Sequence, residues 1–327
     1  MKAIVYTKYG PPDVLEFKEV DKPVPNDEEV LIKVHAASIN FGDTALVRGK
    51  PFMIRLMGYG LVKPKHQIVG TDIAGQVEAV GANIKQFRAG DEVFGDIGDF
   101  GLGAFAEYVS VPETALTLKP VNMTFVEAAS VPQAAVVALQ GLRNQGQIQG
   151  GQKVLINGAS GGIGTFAVQI AKSFRTEVTG VCSTRNVDLV RSIGADHVID
   201  YTQQDFTQNG HGYDLIFDIV ANRSVSDYLR VLSTTGYYVA CAFNPTTLFL
   251  GPIITRKSGK KIRQLSHKPN ADDLVFMKEL LESGKVVPVI DRCYPLREVP
   301  DAVRYLEKGQ HYGKVVITMD HHIVNGG

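Results

Sequence analysis

The stretch from Lys153 to Lys172, KVLINGASGGIGTFAVQIAK, constrains this chain more than any other. A short apolar strand, Val154 to Ile156, runs into a turn carrying Gly158, Gly161, Gly162 and Gly164, and an amphipathic run from Phe166 to Phe174 follows at once. Glycine lets the backbone turn sharply and lets a pyrophosphate approach the amides that open a helix, where the helix dipole favours anions. A glycine triplet alone is a weak signal, because such turns occur in many loops. Here the strand before it and the helix after it supply the context a dinucleotide requires. The expected cofactor contacts are Gly158, Ser160, Gly161, Gly162, Ile163 and Gly164.

The end of the next strand distinguishes the two nicotinamide dinucleotides. That strand, Glu177 to Cys182, leads into Ser183-Thr184-Arg185-Asn186. A site for NAD usually carries Asp or Glu about 20 residues beyond the glycines, on the ribose hydroxyls. None stands there: Glu177 begins the strand and Asp188 falls in the following helix. Ser183, Thr184 and Arg185, with Cys182 beside them, suit the 2′-phosphate of NADP, since a guanidinium grips phosphate through two parallel hydrogen bonds. The alternative is a solvated helix cap with Ser183 or Thr184 capping and Arg185 idle. The expectation is NADPH.

A chain of 327 residues is too long for one typical domain and suits two. With 34 basic against 34 acidic side chains and no basic block, it carries no sign of nucleic acid or anionic membrane as a partner. No apolar run approaches the roughly 20 residues of a membrane span. Met1 to Tyr6 alternates like a strand rather than reading as a signal peptide. Cys182, Cys241 and Cys293 are scattered without paired spacing, which predicts reduced thiols and a cytoplasmic protein; Cys182 and Cys241 sit in apolar strand contexts.

Up to about residue 120 the chain is β-rich. Ala3–Tyr6 and Glu29–Ala36 alternate, and glycine-punctuated pieces follow at 70–81, 90–95 and 104–111, the pattern of a barrel or sandwich. The apolar, alanine-rich run Met123–Leu142, broken by Pro132, predicts one or two helices. From Gly151 strands and helices alternate: strands at 154–156, 178–182, 197–199, 215–218 and 237–240, helices such as 187–193 and 225–232. That is a doubly wound parallel sheet with helices on both faces. A helix over 271–283, an apolar run 286–290, a helix near 299–306 and a strand 314–318 close the pattern, and 319–327 reads as a frayed tail bearing His321 and His322.

Together these pieces resemble the medium-chain dehydrogenase/reductase superfamily, and most of all its zinc-free quinone oxidoreductase, zeta-crystallin-like branch. The resemblance covers nearly the whole chain. It is carried by Ala37-Ser-Ile-Asn-Phe-Gly-Asp43, the block 69–80, Gly90-Asp-Glu-Val93, Ala106-Glu-Tyr-Val-Ser-Val-Pro112, the glycine motif, the block 189–196 and Gly313-Lys-Val-Val316. It implies an α/β fold with a GroES-like β-rich domain from both chain ends, 1–122 and 267–327, and a Rossmann NADP-binding domain over 123–266. It also implies a cleft for the nicotinamide, and a homodimer formed through the Rossmann sheet edge.

Zinc alcohol dehydrogenases of this superfamily place Cys where Asn40 stands and Gly-His-Glu where Gly70-Thr71-Asp72 stands. Neither Asn40 nor Thr71 is an ordinary zinc ligand, and no cysteine lies between Val93 and Tyr108 for a structural site. His35 and His66 read as a strand and a loop residue. The expectation is no metal. Hydride chemistry then rests on the dinucleotide and requires an acceptor activated by conjugation, a quinone or an α,β-unsaturated carbonyl.

By the same resemblance Asn40 is the candidate polar group facing nicotinamide and substrate; the alternative is a turn, since Ser38 to Asp43 is rich in turn formers. Asp43 either orients Asn40 or caps the next helix, and Tyr59 is a candidate proton donor in the 49–70 segment, which equally reads as a solvated lid. Val137 stands where the family often has a nicotinamide-side Thr. Tyr201 matches an aromatic near the adenosine, Val220 and Ala221 border the adenine ribose, and Cys241, Ala242 and Phe243 flank the nicotinamide. Lys314 either reaches the 2′-phosphate or is an exposed strand lysine. The acceptor pocket is expected from variable loops at 49–65 and 244–258. The rival functions are an NADP-dependent alcohol or ketone dehydrogenase of the same fold and a non-catalytic NADPH-binding protein, because fold does not settle function.

Overall fold

A computed structural model describes residues 1–208, 210 and 212–319. The chain divides into two compact units. One comprises Met1–Gln133, Pro269–Glu282 and the described residues from Ile290 on; the other comprises Ala134–Lys268 and Ser283–Val289.

In the first unit the strands are β1 (Lys2–Val5), β2 (Glu16–Glu19), β3 (Glu29–Ile39), β4 (Asp72–Val80), β5 (Glu92–Asp96), β6 (Tyr108–Pro112) and β7 (Thr117–Leu118). The helices α1 (Phe41–Arg48) and α2 (Phe125–Ala129) belong here, and α3 (Pro132–Leu139) begins here. The alternating run of β3 buries Val30, Ile32 and Val34 against Ile73, Val93, Phe105 and Val315 in one apolar core.

The second unit holds the strands β8 (Lys153–Asn157), β9 (Glu177–Cys182), β10 (His197–Asp200), β11 (Tyr213–Asp218), β12 (Leu232–Ala240) and β13 (Lys261–Gln264). They are all parallel and lie in the order β10-β9-β8-β11-β12-β13. Their helices are α4 (Gly162–Ser173), α5 (Val187–Ser192), α6 (Val225–Val231) and α7 (Pro245–Ser258). The strand order reverses between β8 and β11, so the turn after β8 stands at the switch point where open α/β sheets bind ligands.

The first unit is completed by α8 (Ala271–Glu282), β14 (Ile290–Pro295), α9 (Val299–Glu307) and β15 (Lys314–Thr318). Its main sheet runs β14-β15-β3-β4-β5-β7, with β6 added on β3. Residues from both ends of the chain thus share one sheet, with Val316 opposite Ser38.

Three expectations change here. The parallel sheet has six strands rather than five, because Lys261–Gln264 joins its edge. The segment 244–258 is a helix rather than a loop: Asn244 Oδ1 accepts from the amides of Thr246 and Thr247, and Pro245 occupies the first turn. Met319 is packed, its N–H bonded to the His35 carbonyl at 3.1 Å, whereas 320–327, with His321 and His322, lie outside the described residues.

Candidate functional site

The second unit carries an anion cradle. Gly158 turns the chain out of β8 with φ +90°, and its carbonyl lies so close to Gly164 that a Cβ there would sit 2.0 Å from it. Only glycine at 164 lets α4 start this near the sheet. Gly161 caps α4 without a side-chain bond, leaving the amides of Gly162, Ile163 and Gly164 at a free helix N-terminus backed by twelve residues of helix. The Ser160 hydroxyl accepts from Asn186 Nδ2 at 3.0 Å, which ties this turn to the one after β9. The geometry fits the pyrophosphate of a dinucleotide.

At the end of β9, Thr184 and Arg185 are exposed, Ser183 is half-buried, and no described carboxylate pairs with Arg185. Thr184 is not idle: its hydroxyl donates to Asp200 Oδ2 at 2.6 Å. That hydrogen bond is the chief cause holding the Asp200 carboxyl below its ordinary range, so a full negative charge stands beside the Thr184 hydroxyl. The Cys182 thiol is buried, and burial pushes it up to about 11. Tyr201 is half-exposed and donates its N–H to the Cys182 carbonyl.

The turn after β11 is held by a buried network. Asp218, fully buried, accepts from Asn157 Nδ2 and the Ala221 amide at 2.9 Å each and from the Tyr238 hydroxyl at 2.8 Å. This sets Ala221 at φ +54° and lays Val220 against the glycine turn, where a Cβ on Gly158 would meet Val220 Cγ2 at 2.7 Å. After β12, Cys241 donates its N–H to the Asp218 carbonyl, Ala242 accepts from Gln264 Nε2, and Phe243 is exposed. Val137 is buried in α3. Gly158 to Gly164, Ser183 to Arg185 and Val220 therefore stand around one end of one sheet.

The first unit carries a different cluster. Asn40 Nδ2 donates to Thr71 Oγ1 at 3.0 Å and to Asp72 Oδ2 at 2.9 Å, while Asn40 Oδ1 accepts from Lys314 Nζ at 2.5 Å. Lys314 also lies 3.3 Å from Asp72 Oδ2, and the two side chains are 3% and 0% exposed. Asp72 accepts further bonds from the Ser38 hydroxyl and from the Gln133 amide at the start of α3. Burial, reinforced by nearby Asp96, pushes the Asp72 carboxyl up, and the Lys314 ammonium with the Asn40 and Ser38 donors works against that rise.

This corrects one of the two readings of Lys314. It is not an exposed strand lysine, and its ammonium is committed to Asn40 and Asp72. Asp43 lies inside α1 and caps it, Oδ2 accepting from the Asn40 amide at 2.8 Å. Its other oxygen is buried without a partner, and burial, reinforced by nearby Asp72, lifts its pKa to about 7. Tyr59 is half-buried, its phenol pushed up by burial, and its hydroxyl bonds to no described residue. His35 stacks on Phe125 within β3, and His66 lies in a loop.

Asn40, Thr71 and Lys314 do not fit a zinc ion. The Asn40 side-chain oxygen already faces an ammonium, Thr71 Oγ1 accepts from a neutral amide, and a divalent ion beside the ammonium would be repelled. Among the described residues no group of three His, Cys, Asp or Glu side chains is placed to hold a metal. The residues that sequence reasoning left out of the site are Asn186, Asp200, Asp218 and Asp72. Only the polar tract 183–186 hinted at one of them.

The sequence matches the family described as alcohol dehydrogenase GroES-like domain over residues 26–121 and that described as zinc-binding dehydrogenase over residues 193–317. It is 35% identical to a 2-methylene-furan-3-one reductase of Solanum lycopersicum, over 97% of this chain and 79% of the relative. It is 33% identical to an NADPH-dependent alkenal/one oxidoreductase, chloroplastic, of Arabidopsis thaliana, over the same shares. The solved quinone oxidoreductase from Coxiella burnetii superposes with a TM-score of 0.88 at 31% identity, covering 97% of this chain and 99% of that one.

Proposed function

The chain belongs to the quinone oxidoreductase and enone reductase branch of the medium-chain dehydrogenase/reductase superfamily and is an oxidoreductase; from that premise we propose that it is a zinc-independent, NADPH-dependent reductase of quinones or α,β-unsaturated carbonyls. The observation that carries the reading is the Lys314 ammonium against Asn40 Oδ1, at a position where zinc-dependent members need a ligand. Without a Lewis acid an alkoxide has no strong stabiliser, so the acceptor must spread its own charge by conjugation.

A dinucleotide, when bound, supplies a hydride. The amides of Gly162, Ile163 and Gly164 would hold its pyrophosphate, and Val220 would border its ribose. Arg185 and Ser183 select the 2′-phosphate, because the Arg185 guanidinium has no described carboxylate to neutralise it. Among the described residues no helix is long and apolar enough to cross a membrane. The outer edge of β13, unpaired among the described residues, supports a homodimer formed through the parallel sheet; we place the enzyme in the cytoplasm, in keeping with three free thiols.

The test is NADPH oxidation against an ortho-quinone, a 2-alkenal, a cyclic enone and a primary alcohol, with and without chelator. Turnover of the conjugated acceptors, insensitive to chelator, is expected. Alcohol turnover with NADP⁺ that collapses on chelation would transfer the chain to the zinc dehydrogenases. NADPH binding without oxidation of any kind would make it a binder.

A further inference from the structure

The Asn40 cluster contains a hydroxyl that could meet the acceptor's oxygen, and its direction follows by elimination. Lys314 is a donor only, so it must face the Asn40 oxygen; the Asp72 carboxylate is an acceptor only, so it must face the Asn40 nitrogen. The carboxamide therefore has a single orientation, and both hydrogens of Nδ2 are used, one on Asp72 and one on Thr71 Oγ1. Gln133 Nε2 also points at Thr71 Oγ1, at 3.4 Å. The Asn40 N–H directed at the Thr71 oxygen leaves the Thr71 O–H to point away from Asn40. Among the described residues nothing accepts that O–H, although the side chain is only 6% exposed. Asn40, by contrast, has no hydrogen left to offer a substrate.

We propose that Thr71 is the catalytic hydrogen-bond donor to the carbonyl oxygen of a conjugated acceptor, with Asn40 and Lys314 as its positioning residues. The proposal rests on the reductase reading and deepens it. The chain runs from the Lys314 ammonium to Asn40 Oδ1, and from Asn40 Nδ2 to Thr71 Oγ1. A cation at one end polarises each bond in the direction that makes the terminal O–H a better donor. When hydride adds to the β-carbon of an enone, the C=C pair moves toward the carbonyl and leaves negative charge on oxygen. Thr71 keeps its proton and only hydrogen-bonds that charge; water protonates the α-carbon. The hydroxyl thus stands, at a metal-ligand position of the zinc enzymes, as a neutral substitute for the Lewis acid.

The experiment compares wild type, Thr71→Val and Thr71→Ser in NADPH oxidation with a cyclic enone and an ortho-quinone, alongside NADPH affinity by fluorescence titration. We expect Thr71→Val to lower kcat for the enone by about 10²-fold, the typical effect of deleting one oxyanion donor. NADPH affinity should be unchanged and Thr71→Ser should recover most of the rate. The quinone, whose reduced form spreads its charge over the ring, should lose less; a merely structural role would depress both acceptors and cofactor binding together. If Thr71→Val fails to fold, Thr71→Cys, which retains bulk but donates weakly, is read the same way. An active wild type with an unimpaired Val variant overturns the Thr71 assignment alone. A wild type that oxidises NADPH with neither acceptor overturns the reductase reading and this inference with it.

Discussion

Asp43 offers a prediction that depends only on where the chain buries a carboxyl. The residue is fully buried in α1, one oxygen accepts from the Asn40 amide, the other has no partner, and Asp72 and Asp96 stand near enough to raise it further. Its pKa rises from 3.8 to about 7. The folded state therefore holds this proton more tightly than the unfolded chain does, and linkage makes stability fall as pH rises between those two values. At about 1.4 kcal/mol per unit, moving from pH 5 to pH 8 removes about 2–3 kcal/mol that Asp43 contributes at the acid end. Asp43→Asn keeps an acceptor for the Asn40 amide and cannot titrate. Urea melts of wild type and variant at half-unit steps from pH 5 to pH 8 should show the wild-type stability dropping relative to the variant by that amount, with the steepest change below pH 7. Parallel profiles would refute the reasoning, because they would mean that Asp43 is ionised throughout and stabilised by a partner the fold does not show.

The remaining predictions concern charge. Arg185→Ala should weaken NADPH at least about tenfold, the cost of a lost charge-assisted bond, and leave NADH within about twofold; equal weakening of both in parallel titrations would remove the 2′-phosphate assignment. Asp200→Asn should tighten NADPH a few-fold at low salt and less at high salt, since it deletes a negative charge beside Thr184; a weaker NADPH complex would show that Asp200 orders the turn instead. Lys314→Met should cost about 3–5 kcal/mol by leaving Asp72 buried and uncompensated, and Lys314→Met with Asp72→Asn should regain most of it. Thermal melts in which the double variant is no better than the single one would contradict the pairing.

Much of this protein was local, and the local part was readable. The glycine turn announced itself because strand, turn and helix are contiguous, and each glycine answers a backbone demand within a few residues. The alternation of β3 and the helix–strand rhythm after Gly151 likewise depend on periods of two and 3.6. The α7 segment was expected as a variable loop, although Asn244 and Pro245 at its start are residues that open helices.

Sequence alone determined the α/β plan, the glycine turn between β8 and α4, and the lack of ordinary zinc ligands at 40 and 71. What it could not disclose was the company those residues keep. Lys314 and Asn40 are 274 positions apart and meet only because β15 pairs antiparallel with β3. Burial then decides their chemistry: the same lysine on a wetted strand would be a solvated charge, whereas sealed beside Asp72 it fixes an amide and, through it, the direction of one hydroxyl. A residue's protonation and hydrogen-bond partners are set by what surrounds it in space, and spacing along the chain carries no record of that.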